Sequence, residues 1–293
     1  MSLAGSYAKA VAGALPVPGF VPVLGVSRPK DVDPSLTRSL SGFTVDLEHL
    51  ADYDRVCGFR FGGPLPGTYL HMAAFPLQLE LMTESSFPFG VLGLVHVENR
   101  IEVRRPAGVD ETFDVTVHAE NLRKQPAGRA VDLVSEARVG EELVWREVST
   151  YLRPGGGSGS SDGAKKKRSS KQDAAPPRAA SIWRVPDDIG RRYAAVSGDR
   201  NPIHLHPLTA KAFGMPGAIA HGMWVKARCL ASLEGQLPAD GRYAVEVAFK
   251  KPLVLPSKVA FSSTPGRKEG VREFGVRSAK SGKPHLTGSV APL

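Results

Sequence analysis

The chain repeats itself, and this constrains its fold more than any other feature. Residues 53–60 read YDRVCGFR and residues 193–200 read YAAVSGDR. LPGTYLHM at 65–72 returns as MPGAIAHGM at 215–223, and IEVRRP at 101–106 returns as VAFKKP at 247–252. Three matches in the same order, at near-constant offsets, mark a duplicated domain. Between the copies, residues 155–178 read GGGSGSSDGAKKKRSSKQDAAPPR, with no apolar side chain larger than Ala. Nothing there offsets the entropy of ordering the backbone, so the stretch reads as a tether. The expected organisation is therefore an N-terminal repeat over 1–154, a basic linker over 155–178 and a C-terminal domain over 179–293.

Each copy has the same coarse plan. In the second, Asp187 to Val196 has the signals of a short helix, with Pro186 before it and Gly198 after it. Ala218 to Leu237 carries helical spacing, with Ile219, Met223, Ala227 and Leu230 on one face. AVEVAFKKPLVL, KVAFSST, REFGVRSA and HLTGSVA then alternate as strands separated by turn residues. In the first copy, Tyr69 to Leu81 is the matching helix, followed by four matching strands from Val91 to Leu152. A long helix followed by an antiparallel meander predicts an α+β fold in which a sheet wraps around the helix.

Composition excludes several classes. The N-terminal apolar stretch is broken by Pro16, Pro18 and Pro22 and has no basic leader, and no run reaches the ~20 residues of a membrane span. Two cysteines, Cys57 and Cys229, cannot build a disulfide framework or a Cys-based metal site. These points predict a cytoplasmic protein. Of the net charge of +9, the linker carries +4, leaving a modest +5 that suits a phosphate-bearing ligand as well as nucleic acid. The Lys165–Arg168 run reads as solvated charge, and no nucleic-acid partner is expected.

The informative segment is Ser197 to Met223, SGDRNPIHLHPLTAKAFGMPGAIAHGM. Asn201-Pro202 favours a turn, which can bring Asp199 and His204 together. A carboxylate beside an imidazole can move a proton through a shared water. Read alone, the same residues also suit an Asp capping a turn and a His satisfied on the surface.

SGDRNPIH followed by AHGM resembles the MaoC-like dehydratases, the (R)-specific enoyl-thioester hydratases also called hydratase 2. The duplication resembles their double hot-dog members, with two antiparallel sheets each wrapped around a central helix. Within these, the likeness is to the actinobacterial 3-hydroxyacyl-thioester dehydratases. The resemblance implies reversible hydration of trans-2-enoyl thioesters to (R)-3-hydroxyacyl thioesters in fatty-acid metabolism. It places the catalytic pair on Asp199 and His204 and a site-ordering residue on Asn201. It puts an oxyanion hole at the Gly222 N–H, where a glycine at a helix N-terminus lets a thioester oxygen approach. His221, Met223 and Trp224 are candidate substrate contacts, although core packing explains the last two more readily. Acyl-CoA or acyl carrier protein thioesters are the implied partners, with no cofactor and no metal, and dimers of the fused pair remain open. A hot-dog thioesterase and a non-catalytic acyl-binding module are the rival readings. His206 stands where relatives commonly have an acid. In the first copy Phe59 replaces Asp199, Met72 replaces Gly222 and the Asn–His segment is missing, so that copy is expected to shape the pocket, with His71 structural. Arg104, Arg105, Lys250 and Lys251 are candidate phosphate contacts.

Overall fold

The computed structural model describes residues 33, 36–91, 93–155 and 178–293. The expected tether lies outside the described residues except for its ends, Gly155 and Arg178. The N-terminal half runs β1 (Thr37–Thr44), α1 (Leu47–Cys57), α2 (His71–Thr83), β2 (Val95–Val103), β3 (Thr112–Gln125), β4 (Gly128–Val139) and β5 (Glu142–Pro154). The C-terminal half runs β6 (Ser181–Val185), α3 (Ile189–Ser197), α4 (Pro202–Leu205), α5 (Pro207–Ala212) and α6 (Gly222–Ala231). A short 3-10 turn and the strands β7 (Tyr243–Phe249), β8 (Ser257–Pro265), β9 (Arg272–Ser278) and β10 (Pro284–Pro292) complete it.

Among the described residues, ten strands form one sheet in the order β1-β3-β4-β5-β2-β7-β10-β9-β8-β6, and every pairing within it is antiparallel. The two expected sheets, each with one strand more than the four read from the sequence, are thus joined edge to edge through β2 and β7, which leaves neither half with an open edge at its centre. The simple meander expected from the sequence needs one correction per half. β2 and β7 pair with the last strand of their own half, not the next one, and so reach the seam. The outermost strands β1 and β6 carry mostly exposed side chains, so neither shows the alternation that betrays a half-buried strand.

The seam is a local two-fold. The repeat aligns residue 100 with residue 246, and the β2–β7 register sets Arg100 directly opposite Glu246, where the two side chains form an ion pair. Tyr53 and Tyr193, also equivalent in the repeat, meet with ring centroids 6.5 Å apart. Equivalent residues touching each other is the signature of an isologous interface, here built inside one chain.

α2 is buried on nearly all sides and packs on β1, β3 and β4. α6 is its counterpart and is buried from Met223 to Ala227. It is shorter than the 218–237 expected from periodicity. Ile219 pairs as an isolated bridge with Val254, and the Ala220 N–H donates to the Leu253 carbonyl, so the chain stays extended until His221 caps the helix. Among the described residues, no helix is long and apolar enough to cross a membrane.

Candidate functional site

The segment from Gly198 to His221 lies between the end of α3 and the start of α6. Two one-turn helices divide it, each with a proline at its first position and a side-chain acceptor just before. The Asn201 Oδ1 accepts from the Ile203 N–H at 3.3 Å, and the His206 Nδ1 accepts from the Leu208 N–H at 3.2 Å. A fixed proline φ and a capped N–H favour this start. His206 therefore supplies the acceptor that an acid would give at that cap, and its departure from the family pattern leaves the local fold intact.

The Asn201 turn does what its sequence suggests. Ligand-type atoms of Asp199, His204 and His221 all lie within 4.8 Å of one another. Asp199 is held by its own backbone: its N–H donates to the Ser197 Oγ at 3.1 Å, and its Oδ1 accepts from the Asn201 N–H at 3.1 Å. Its side chain keeps 24% exposure, so solvent reaches the carboxylate. His204 is buried and bonds through Nδ1 to the Ile219 carbonyl at 2.8 Å. Since a carbonyl only accepts, Nδ1 carries the proton and Nε2 is left with its lone pair. Burial holds the His204 pKa below the ordinary imidazole value, opposed by the Asp199 charge.

His221 is more closely involved than its sequence position indicates. Its Nε2–H donates to the Asp199 main-chain carbonyl at 2.9 Å, and its ring stacks on His204 with centroids 3.7 Å apart and planes 28° from parallel. Burial and the neighbouring His204 push its pKa down to about 3. Its Nδ1 is buried with no hydrogen-bond partner. Three ligand-type side chains, Asp199, His204 and His221, thus converge here. Stacked imidazoles, however, direct their in-plane lone pairs side by side instead of at one point, so the arrangement suits proton handling better than chelation.

The first-turn N–H groups of α6, beginning at Gly222, have no intrahelical acceptor and carry the positive end of the helix dipole. Gly222 has a packing reason as well. A Cβ there would meet three atoms of the Phe249 ring at 2.9, 3.0 and 3.1 Å. Gly190 of α3 is equally constrained, since a Cβ on it would run into the His204 carbonyl. Neither neighbour is visible in the sequence, because both contacts join segments far apart in the chain.

The remaining expectations divide. Met223 and Trp224 are core residues, each 5% exposed, and the Trp224 indole N–H donates across the seam to the Val56 carbonyl at 3.0 Å. His71 is buried against Glu147, with Nδ1 2.9 Å from Oε2, and Phe59 stacks on Tyr53. Arg104 pairs with Glu102 at 2.7 Å, and Arg105 pairs with Glu111 and Glu142. Lys250 and Lys251 are exposed. A cavity of about 750 Å³ opens on the outer face of the sheet, against Arg100, Glu246, Arg277 and Ser289. Asp199, His204 and His221 do not line it.

Residues 165–283 match the family described as MaoC like domain. The chain is 39% identical over 285 residues to 3-hydroxyacyl-thioester dehydratase X of Mycobacterium tuberculosis, covering 97% of this chain and 96% of that one. Its fold superposes on the crystal structure of HtdX of Mycobacterium tuberculosis with a TM-score of 0.75, at 36% identity, over 88% of this chain and all of that one. A MaoC-like dehydratase from Phytophthora capsici shares the fold at 16% identity, with a TM-score of 0.70 over 88% of this chain and 95% of that one. The duplicated sheet, the helix in each half and the 39% identity along nearly the whole chain agree, and the protein belongs to the MaoC-like dehydratases in their double hot-dog form.

Proposed function

We propose that the protein catalyses the reversible hydration of trans-2-enoyl thioesters to (R)-3-hydroxyacyl thioesters, as a hydro-lyase of fatty-acid metabolism. The observation that carries this reading is the convergence of the Asp199 carboxylate and the His204 imidazole within 4.8 Å, beside His221, the residue that immediately precedes the first turn of α6. The activity in the name of the 39%-identical mycobacterial relative supports it.

In the hydration direction, Asp199 and His204 hold one water against C3 of the enoyl thioester. The neutral Nε2 of His204, or the Asp199 carboxylate, takes a proton from that water as its oxygen bonds to C3. The C2–C3 π electrons move toward the thioester carbonyl, whose oxygen gains charge and is met by the Gly222 N–H. The proton taken from the water is then delivered to C2, so the sum is one water added across the double bond. Dehydration runs the same path backwards. Acid–base help is worth about 10²–10⁴-fold and a single oxyanion donor about 10²–10³-fold. Asn201 orders the pair through the Asp199 Oδ1 contact and its own cap.

The N-terminal half, without an Asp–His pair of its own, acts as the other wall of the site. The substrate is carried as a CoA or acyl-carrier-protein thioester in the cytoplasm, and the fused pair already supplies both hot-dog halves whether or not two chains associate as a homodimer. The test is turnover of crotonyl-CoA and longer enoyl-CoAs, with the same acyl groups on carrier protein and chiral analysis of the 3-hydroxy product. Loss of enoyl absorbance with no free thiol and an (R) product is the expected result. Release of thiol means a thioesterase, and binding without turnover means an acyl-binding module.

A further inference from the structure

The interior at the seam is polar on one side only. In the N-terminal half, the sheet surface facing α2 carries Asn99, Ser135, Glu147 and Ser149, all buried, with Gln78 and His71 of α2 against them. Register gives their counterparts in the C-terminal half as Val245, Phe274, Gly288 and Val290. Into this apolar half is set one cation, Lys226 of α6, with no exposure at all. The repeat aligns it with Pro76 of α2.

Lys226 has hydrogen-bond partners on both sides of the seam. Its Nζ donates to the Asn99 Oδ1 and, at 3.2 Å, to the Val245 carbonyl. The Asn99 amide then donates through Nδ2 to the Glu147 Oε1 at 2.7 Å and to the Ser149 Oγ at 3.0 Å. Glu147 accepts in turn from the Gln78 Nε2 at 3.0 Å, and its Oε2 lies 2.9 Å from the His71 Nδ1. Asn99 can serve both neighbours in only one amide orientation, with oxygen toward the ammonium and nitrogen toward the carboxylate. The result is a directed chain from α6, across β2, to β5 and α2.

Lys226 stands four residues after Gly222, one helical turn on and on the same face. A buried charge with fixed partners is hard to displace, because moving it strands an ammonium and a carboxylate together. We propose that Lys226, held by Asn99 and Glu147, is a positioning residue that fixes the rotation and height of the α6 first turn, so that the N-terminal half sets the aim of the Gly222 N–H. This rests on the hydratase reading only for its kinetic consequence.

The titratable and charged groups around the ammonium are Glu147 on β5, Arg100 and His96 on β2 and, beyond Glu147, His71 on α2. Burial pushes the Lys226 pKa down to about 7, with Glu147 opposing the shift and Arg100 adding to it. The anchor therefore loses its charge as pH rises through neutrality. Burial lowers the site imidazoles as well, which places their titration below 6.5, on the acid side of the Lys226 ammonium.

The experiment uses the full chain with Lys226→Met, similar in length and apolar, and Glu147→Gln, which keeps the shape and removes the charge. Positioning predicts that Lys226→Met lowers kcat by about 10- to 100-fold with KM within about threefold. It predicts a basic limb of kcat near pH 7 in the native chain that is absent in Lys226→Met and shifted to lower pH in Glu147→Gln. It also predicts faster amide hydrogen exchange at residues 222–225 in both variants, with exchange in β3 and β4 unchanged. If Lys226→Met does not fold, Glu147→Gln alone decides, through the moved limb and the faster exchange. Native kcat, pH profile and exchange at 222–225 in a folded variant overturn the proposal, as does an exchange increase spread evenly over the sheet. If the native chain does not hydrate enoyl thioesters, the functional reading falls, and the exchange experiment still decides this one.

Discussion

Replacing Gly222 by alanine adds a single methyl group, and its consequence can be worked from three distances. The new Cβ would lie 2.9, 3.0 and 3.1 Å from the Cε1, Cδ1 and Cζ atoms of Phe249. Carbon atoms rest at about 3.5–4.0 Å, so the contact is short by roughly half an ångström or more. The Phe249 ring cannot simply step back, because the His96 ring stands against it at 4.9 Å and is itself stacked on Tyr151 at 4.7 Å. The strain is shared between that aromatic stack and the first turn of α6, which moves the Gly222 N–H away from its aim. Overpacking of this kind costs about 1–3 kcal/mol, and a misplaced donor lowers kcat by about 10- to 100-fold. The assays are steady-state loss of enoyl-CoA absorbance and thermal unfolding. Gly235→Ala is the control, since a Cβ there meets no atom within 4 Å, and it leaves both measurements unchanged. Phe249→Leu in the Gly222→Ala background removes the ring and recovers most of the lost turnover. Near-native kcat in Gly222→Ala alone, or no recovery in the double variant, would refute the steric account of this glycine.

Other expectations follow from the same geometry. Asp199→Asn and His204→Ala each lower turnover by at least about 100-fold while circular dichroism and Tm show a folded chain; near-native turnover in either removes it from the proposed pair. His96 and His221, ordinarily near 6.5, are both held to about 3, chiefly by burial. Between these values the unfolded chain binds protons that the folded chain refuses, so stability is full above pH 6.5 and is lost as pH falls through 3. At about 1.4 kcal/mol per unit, the loss over that window amounts to several kcal/mol, and urea melts between pH 7 and 4 measure it. A flat midpoint across that range contradicts the assignment. Trp224→Phe keeps the ring in the core but removes its hydrogen bond to the Val56 carbonyl, and a destabilisation of about 1 kcal/mol is expected in the same melts.

The comparison of the repeats was informative because it records what one half lacks. Phe59 and the missing Asn–His segment leave the N-terminal half without a counterpart of the proposed Asp–His pair, and no fold is needed to see it. The isologous seam, with Arg100 facing Glu246 across it, emerged only from the strand pairing. Periodicity, by contrast, overran the start of α6. Residues 218–221 carry the apolar spacing of a helix, but Ile219 and Ala220 bond to Val254 and Leu253 and stay extended. Their buried side chains satisfy a helical pattern and a strand pairing equally, and only the partner chain segment separates the two.

The sequence by itself determined the duplication, the helix-then-strands plan of each half and the presence of a carboxylate and an imidazole on either side of an Asn-Pro turn. Those features are local: caps, prolines and alternation act over a few residues and leave their mark in the order of the letters. The tertiary structure alone decided which atoms those residues present. The Ile219 carbonyl that fixes the His204 tautomer, the ring of His221 stacked on it and the Phe249 that requires a glycine at 222 come from segments up to 27 residues apart. The Lys226–Asn99–Glu147 chain joins positions separated by 127 and 48 residues. A main-chain carbonyl has the same chemistry at every position, and a buried charge finds its partner only when two distant surfaces close over it, so neither can be read before the chain has folded.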